Sequence, residues 1–201
     1  VKELPKVISI VEDIIASLAS NSLDEYTILS LLLQGAKLDI FGVGERLITS
    51  KSEPVFGGVY KLVAMENEEG RVVPRIKLSE NVEKVSNPGY KKVYRFYDKD
   101  TNKALADLIT LADEVIDKNE TYVIFDPVYT WKKKTLKNFY VEELQVPIFE
   151  DGKLVYESPS LEEIREYAKE QLDNAWEEIK RFENPHTYYV DLSQKLWDTK
   201  S

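Results

Sequence analysis

Two short segments hold the residue types from which a phosphate site could be made: Ser20-Asn21, and Gly42-Val43-Gly44-Glu45 inside "FGVGERLITS". Glycine tolerates positive φ and has no side chain to keep a ligand off the main chain. A Gly-x-Gly step after an apolar run therefore suits either a tight turn or an anion cradled on backbone amides. Both segments follow apolar runs and precede helical ones. In an α/β unit their amides would converge on one anion, whereas a plain strand-to-helix turn would use the same glycines, and spacing leaves both readings open. Elsewhere the chemistry is thinner. His186, in "NPHTYY", is the one histidine of the chain and has no triad partner in the sequence. The carboxylate pairs Asp24-Glu25 and Glu162-Glu163 stand at helix starts, where unpaired amides and the macrodipole already explain them. No residue is assigned a catalytic role. The absence of cysteine excludes disulfides and thiolate sites, and no carboxylate spacing suggests a metal.

The elements that must position these segments change character along the chain. In residues 7–18 the apolar positions Val7, Ile8, Val11, Ile14, Ile15 and Leu18 recur at helical spacing. Ser22 with Glu25 three residues later reads as a capping box opening a helix over 23–34, and Gly35 closes it. "AKLDIFGVG" reads as a short buried strand, and "ERLITS" as the start of a helix or turn. From about residue 57 the texture becomes short β-branched and aromatic runs, among them "GVYKLVAM", "KKVYRFYD", "KALADLITL", "TYVIFDPV" and "KLVYE". Turn signals such as Glu150-Asp151-Gly152 separate them, as in a mainly antiparallel sheet. Lys132-Lys133-Lys134 reads as a solvated turn. Near the end, Ser160 as N-cap and Glu163 as its partner open a helix over about 161–182, with Leu161, Ile164, Ala168, Leu172, Ala175, Ile179 and Phe182 on one stripe and Pro185 beyond its end. "TYYVDLS" then reads as a strand and "QKLW" as a final turn. The expected fold class is α+β, with an α/β segment over 1–56 and a β-rich domain over 57–201.

Composition narrows the partners. A formal net charge of −9 and no basic stripe interleaved with aromatics make nucleic acid an unexpected partner. No apolar run approaches a membrane span and "VKELPK" lacks a signal-peptide pattern, so no membrane partner is expected and the default location is cytoplasmic.

Several stretches, in order, resemble one family: "SNSLDE", "QGAKLDIFGVGERLITS", "FGGVYKLVAM", "RIKLSENVEKVSNPGYKKVYR" and "NPHTYYVDLSQKL" are similar to the C-terminal part of nicotinate phosphoribosyltransferase, a type II phosphoribosyltransferase. The resemblance implies that residues 1–56 are the last βα elements of an irregular α/β barrel. A mainly antiparallel β domain with a long C-terminal helix would follow. It also implies an ATP-dependent enzyme of NAD biosynthesis, a ligase and pentosyltransferase, that joins nicotinate to phosphoribosyl pyrophosphate with Mg²⁺ on the pyrophosphate. In that scheme Ser20, Asn21, Gly42, Val43, Gly44 and Glu45 bind the 5′-phosphate. The family's Arg-x-Asp-Ser-Gly-Asp segment does not occur in this sequence, so the implied partners include an N-terminal part of the enzyme, in cis or in trans. A homodimer is implied when the enzyme is complete, and these 201 residues alone are expected to be inactive. A non-catalytic accessory or oligomerisation module derived from the same enzyme is the alternative.

Overall fold

Residues 17–55, 57–81, 84–117 and 121–200 are described by the computed structural model. The chain divides into two units, Val1–Tyr60 and Lys61–Ser201.

In the first unit, β1 (Leu18–Ser20) pairs in parallel with β2 (Ile40–Gly42), and the crossover between them is α1 (Glu25–Leu33). A parallel pair needs such a connection, because a two-residue hairpin can join only antiparallel strands. α2 (Glu45–Ile48) follows β2. The N-cap of α1 is Asp24 and not Ser22: the Asp24 carboxylate accepts from the Thr27 amide at 2.8 Å, while Ser22 sits at a φ of 52°. A residue in that conformation cannot take the extended backbone of a cap, so the next competent side chain takes over. Gly35 closes the helix at a φ of 84°, its amide on the Leu32 carbonyl. Of the helical pattern over 7–18, residues 7–16 lie outside the described residues, and Leu18 opens β1.

The second unit begins with the hairpin β3 (Ala64–Glu66) and β4 (Val72–Pro74), then builds its main sheet from β5 (Lys91–Asp98), β6 (Ala104–Leu111), β9 (Phe139–Glu143) and β12 (Val190–Leu192), in the order β12-β6-β5-β9. Pairing is antiparallel except where β12 runs parallel to β6. β7 (Tyr122–Phe125) and β8 (Lys133–Leu136) form a hairpin, as do β10 (Phe149–Glu150) and β11 (Lys153–Leu154) around Asp151-Gly152, both at positive φ. The sheet alternates as a two-faced structure must. One face carries Tyr94, Phe96, Ala106 and Leu108 into the core with Ile116, Ile124, Leu136 and Phe139. The Phe96 ring lies 4.8 Å from Phe139, edge to face, and 5.5 Å from Tyr122. On the opposite face Arg95 meets its cross-strand neighbour Asp107 in a two-pronged pair, at 2.8 and 2.9 Å. The fold is thus mixed α+β, mostly small sheets with few helices.

Three expectations are corrected here. α3 (Leu161–Asn174) opens with the Ser160–Glu163 capping box but stops well short of residue 182. Tertiary bonds capture its end: Asn102 donates to Asn174, Lys103 Nζ donates to the carbonyls of Asp173 and Ala175, and Trp176 Nε1 donates to the Ala104 carbonyl. Lys133 and Lys134 belong to β8 and not to a solvated turn; Lys134 Nζ donates to the Leu105 carbonyl and lies over the Tyr189 ring. Finally, "QKLW" opens α4 (Gln194–Lys200), which buries Leu196.

Candidate functional site

The parallel pairing of β1 and β2 makes both strands end on the same side, with Ser20 opposite Gly42. Position 42 accepts only a glycine without adjustment, because a Cβ there would stand 3.0 Å from the Ser20 Cβ. Asn21 and Ser22 then turn the chain at φ values of 85° and 52°. Such values are uncommon outside glycine, and asparagine tolerates them best. After Gly42 the chain passes through Val43 to Gly44, whose carbonyl accepts from the Leu47 and Ile48 amides.

These turns enclose a cavity of about 320 Å³ whose lining includes Asn21, Ser22, Gly42, Gly44 and Glu45, joined by the cations of Arg46 and Lys51. Four of the six residues expected from the sequence therefore converge. Ser20 stays at the strand end outside the lining, and Val43 lines a neighbouring cavity with Asp24, Ile28 and Leu47. Sequence reasoning gave Ser22 only a helix-capping role and did not single out Arg46 or Lys51. The available signal was a cation two residues beyond the second glycine and another five residues after that.

Arg46 is held in place by Asp24, Nη1 to Oδ2 at 2.6 Å, so one carboxylate both caps α1 and aims a cation at the cavity. Hydrogen bonding from Thr27, and then the Arg46 charge, hold the Asp24 carboxyl below its ordinary range. Glu45 opposes any anion by charge, while the loop amides and Lys51 attract one. His186 belongs to the second unit, exposed, with its amide donating to the Glu178 carbonyl at 2.9 Å. Among the described residues no group of three His, Asp or Glu side chains is arranged to hold a metal ion, and no helix is long and apolar enough to cross a membrane.

The family model described as "Nicotinate phosphoribosyltransferase C-terminal domain" matches residues 90–200, from the start of the main sheet to the last helix. The chain belongs to the nicotinate phosphoribosyltransferase family. The Bacillus subtilis nicotinate phosphoribosyltransferase is 44% identical over 183 residues, 91% of this chain and 37% of that protein. The human enzyme is 32% identical over 177 residues, 88% of this chain and 32% of its own length. The crystal structure of human nicotinic acid phosphoribosyltransferase matches with a TM-score of 0.69 at 25% identity, over 98% of this chain and 36% of that one. The chain thus spans about a third of the length of these relatives. The matched C-terminal domain of the nicotinate phosphoribosyltransferase family lies within the second unit, and the Gly-x-Gly cavity lies before it in the chain.

Proposed function

We propose that this chain is the C-terminal part of a nicotinate phosphoribosyltransferase, which forms nicotinate mononucleotide from nicotinate and phosphoribosyl pyrophosphate with ATP hydrolysis in NAD biosynthesis, and that its first unit binds the 5′-phosphate. The observation that carries the reading is the shared strand end: Ser20 and Gly42 in register, with Asn21, Gly42 and Gly44 around one cavity that Arg46 and Lys51 make attractive to an anion. Backbone amides and the two cations would hold the phosphate and so fix the ribose, contributing positioning rather than bond-making. Ser20, at the end of β1, sets the register of the loop, and Val43 supports it from behind. ATP and Mg²⁺ enter as the family's co-reactants. The chain's own part in this reading is phosphate binding, by the loops that line the cavity.

β1 and β2 belong, in this reading, to the last βα elements of an α/β barrel. Parallel strands occur in sheets covered on both faces, and two of them alone leave edges open. Around them Leu18, Leu29, Leu32, Leu33, Ile40 and Ile48 are exposed. The remaining two-thirds of the enzyme, in cis or in trans, is the partner that covers this surface, and the complete enzyme is a cytoplasmic homodimer.

Calorimetric titration of the chain with nicotinate mononucleotide and with phosphoribosyl pyrophosphate tests the cradle, beside a turnover assay with nicotinate and ATP. Binding without turnover is the expected result, and no binding at all would reduce the two glycines to a turn. Gly44→Val separates the readings further. A Cβ at 44 meets nothing within 4 Å, so the fold is expected to survive while the added side chain crowds the cavity and weakens phosphate binding by about tenfold or more, a loss of roughly 1.4 kcal/mol. Unchanged affinity would sink the cradle.

A further inference from the structure

The second unit contains a larger cavity, of about 1110 Å³, between the β7–β8 hairpin and the segment that leads into β12. It belongs to neither the main core nor the phosphate loops. Asp191 of β12 lines it and is only 4% exposed. Its carboxylate makes no hydrogen bond and no ion pair among the described residues. The buried side-chain oxygen left without a hydrogen-bond partner among the described residues is Thr110 Oγ1, so the Asp191 carboxylate still reaches the cavity, where a ligand could pair with it.

The surroundings specify what would satisfy it. Asp126, on the same lining, accepts from the Val128 and Tyr129 amides through one oxygen, and those bonds keep it ionised. Glu178 supplies a third carboxylate to the lining, against two ammonium groups, those of Lys132 and Lys134. Lys134 offsets the Asp191 charge only in part, and neither lysine forms an ion pair with it. Lys132 Nζ stands 4.4 Å above the Tyr129 ring; Lys134 Nζ is tied to the Leu105 carbonyl and stands 4.8 Å above Tyr189. The acidic groups thus outnumber the basic ones, and rings of Tyr129, Tyr189 and Trp176 form the walls. Aromatic faces attract cations as well as flat apolar surface. The two oxygens of Asp191 beside flat aromatic walls suit an organic ion.

We propose that this cavity binds a small, flat organic cation, an aryl amidine or a protonated amino-heterocycle, whose N–H groups pair with Asp191 while its ring lies against the tyrosine and tryptophan walls. The proposal is independent of the phosphate loops and stands or falls without them. Two parallel N–H donors fit a carboxylate better than a single ammonium does, which favours an amidine-like edge.

The proposal also carries a pH dependence. Burial, and then the charge of Asp126, push the Asp191 carboxyl up to about 6, partly opposed by Lys134. The other titratable groups facing the cavity are Tyr129, Lys132, Glu178, His186, Tyr188 and Tyr189. Asp107, across from β12 on β6, is committed to Arg95 and to the Tyr188 hydroxyl. Below about pH 6 Asp191 takes up a proton and stops attracting a cation, so binding weakens as the pH falls.

Benzamidine, a flat cation with paired N–H donors, is the probe. Titrated calorimetrically into the full 201-residue chain at about pH 7.5, it is expected to saturate one site, and Asp191→Asn is expected to weaken it about tenfold or more. Tyr129→Ala, on the exposed rim, is expected to weaken it several-fold with the far-ultraviolet circular dichroism unchanged. Affinity for the unaltered chain is expected to drop about tenfold between pH 7.5 and pH 5. Absence of saturable binding overturns the proposal, as does equal binding of the neutral analogue benzyl alcohol. Should Asp191→Asn fail to fold, the Tyr129→Ala variant and the pH series on the unaltered chain decide, and an affinity indifferent to both overturns it.

Discussion

The two units use apolar residues in opposite ways. Among the described residues of the first, Leu23 is the single buried hydrophobic side chain, whereas Leu18, Leu29, Leu32, Leu33, Ile40, Leu47 and Ile48 are exposed. The second closes a core of its own around Phe96, Ala106, Leu108, Ile124, Leu136 and Phe139. Composition does not account for the contrast, since α1 contains more leucines than any strand of the second unit. What differs is whether the described residues supply a second layer. β5 and β6 find the β7–β8 hairpin on one face and α3 with Tyr188 on the other; among the described residues, β1 and β2 have one crossover helix between them, and it buries none of its residues. A layer architecture needs both partners of each interface, and the first unit shows half of several.

The largest test of this contrast is a deletion in the closed core. Phe96 is fully buried between Phe139 and Tyr122, and Phe96→Ala is expected to cost about 3–5 kcal/mol, read from the urea unfolding midpoint of the chain. A loss below about 1 kcal/mol would mean that the second unit is as loosely packed as the first.

Next in size is the polar face of the same sheet. Arg95 and Asp107 are joined by Tyr188, whose hydroxyl donates to Asp107 at 2.8 Å, and by Gln171 of α3, which accepts from Arg95 at 3.1 Å. Hydrogen bonding to Asp107 holds Arg95 protonated, and burial followed by Asp107 raises the Tyr188 hydroxyl. Asp107→Ala leaves a half-buried guanidinium unpaired and is expected to cost about 3 kcal/mol, with a matching fall in melting temperature. The ion pair of the first unit, Arg46–Asp24, is more open to water, so Arg46→Ala should lower the melting temperature far less. Equal losses would erase the distinction between a unit that is tied together internally and one that is not.

The same contrast decides what was legible in the sequence. Elements specified by their own residues could be read directly: the β5 and β6 runs, the hairpin at Asp151-Gly152, the capping box at Ser160 and Glu163, and the glycine that ends α1. Local chemistry determines all of these, through alternation, turn conformation and end capping. Elements decided by distant partners were misread. α3 keeps helical spacing past residue 174, but Lys103 and Asn102, some seventy positions earlier, capture its final turn. Lys134 looked solvated because its carbonyl partner, Leu105, and its aromatic partner, Tyr189, lie far away in sequence. At the loops the glycines were visible and their purpose was not: Gly42 is set by close approach to Ser20, while Gly44 stands in open space. Arg46 escaped notice because only the folded register brings it beside Asp24 and into the lining.

The smallest expected effect is the most discriminating. Leu33, at the end of α1, is 79% exposed, so Leu33→Gln removes no buried contact from this chain and should change its unfolding free energy by no more than about 0.5 kcal/mol. Glutamine has nearly the helix propensity of leucine, which leaves the helix itself unaffected. In the complete enzyme the outcome should reverse. If the upstream part of the enzyme covers α1, the same substitution puts an amide into an apolar interface, and the cost should rise to about 2 kcal/mol. A pair of unfolding curves on the two forms measures the difference directly. Equal small costs in both would mean that α1 faces water even in the complete enzyme, and the exposed leucines of the first unit would then need another partner. A large cost already in this chain would show that α1 buries Leu33 without help, and the comparison between the two units would fail at its most exposed point.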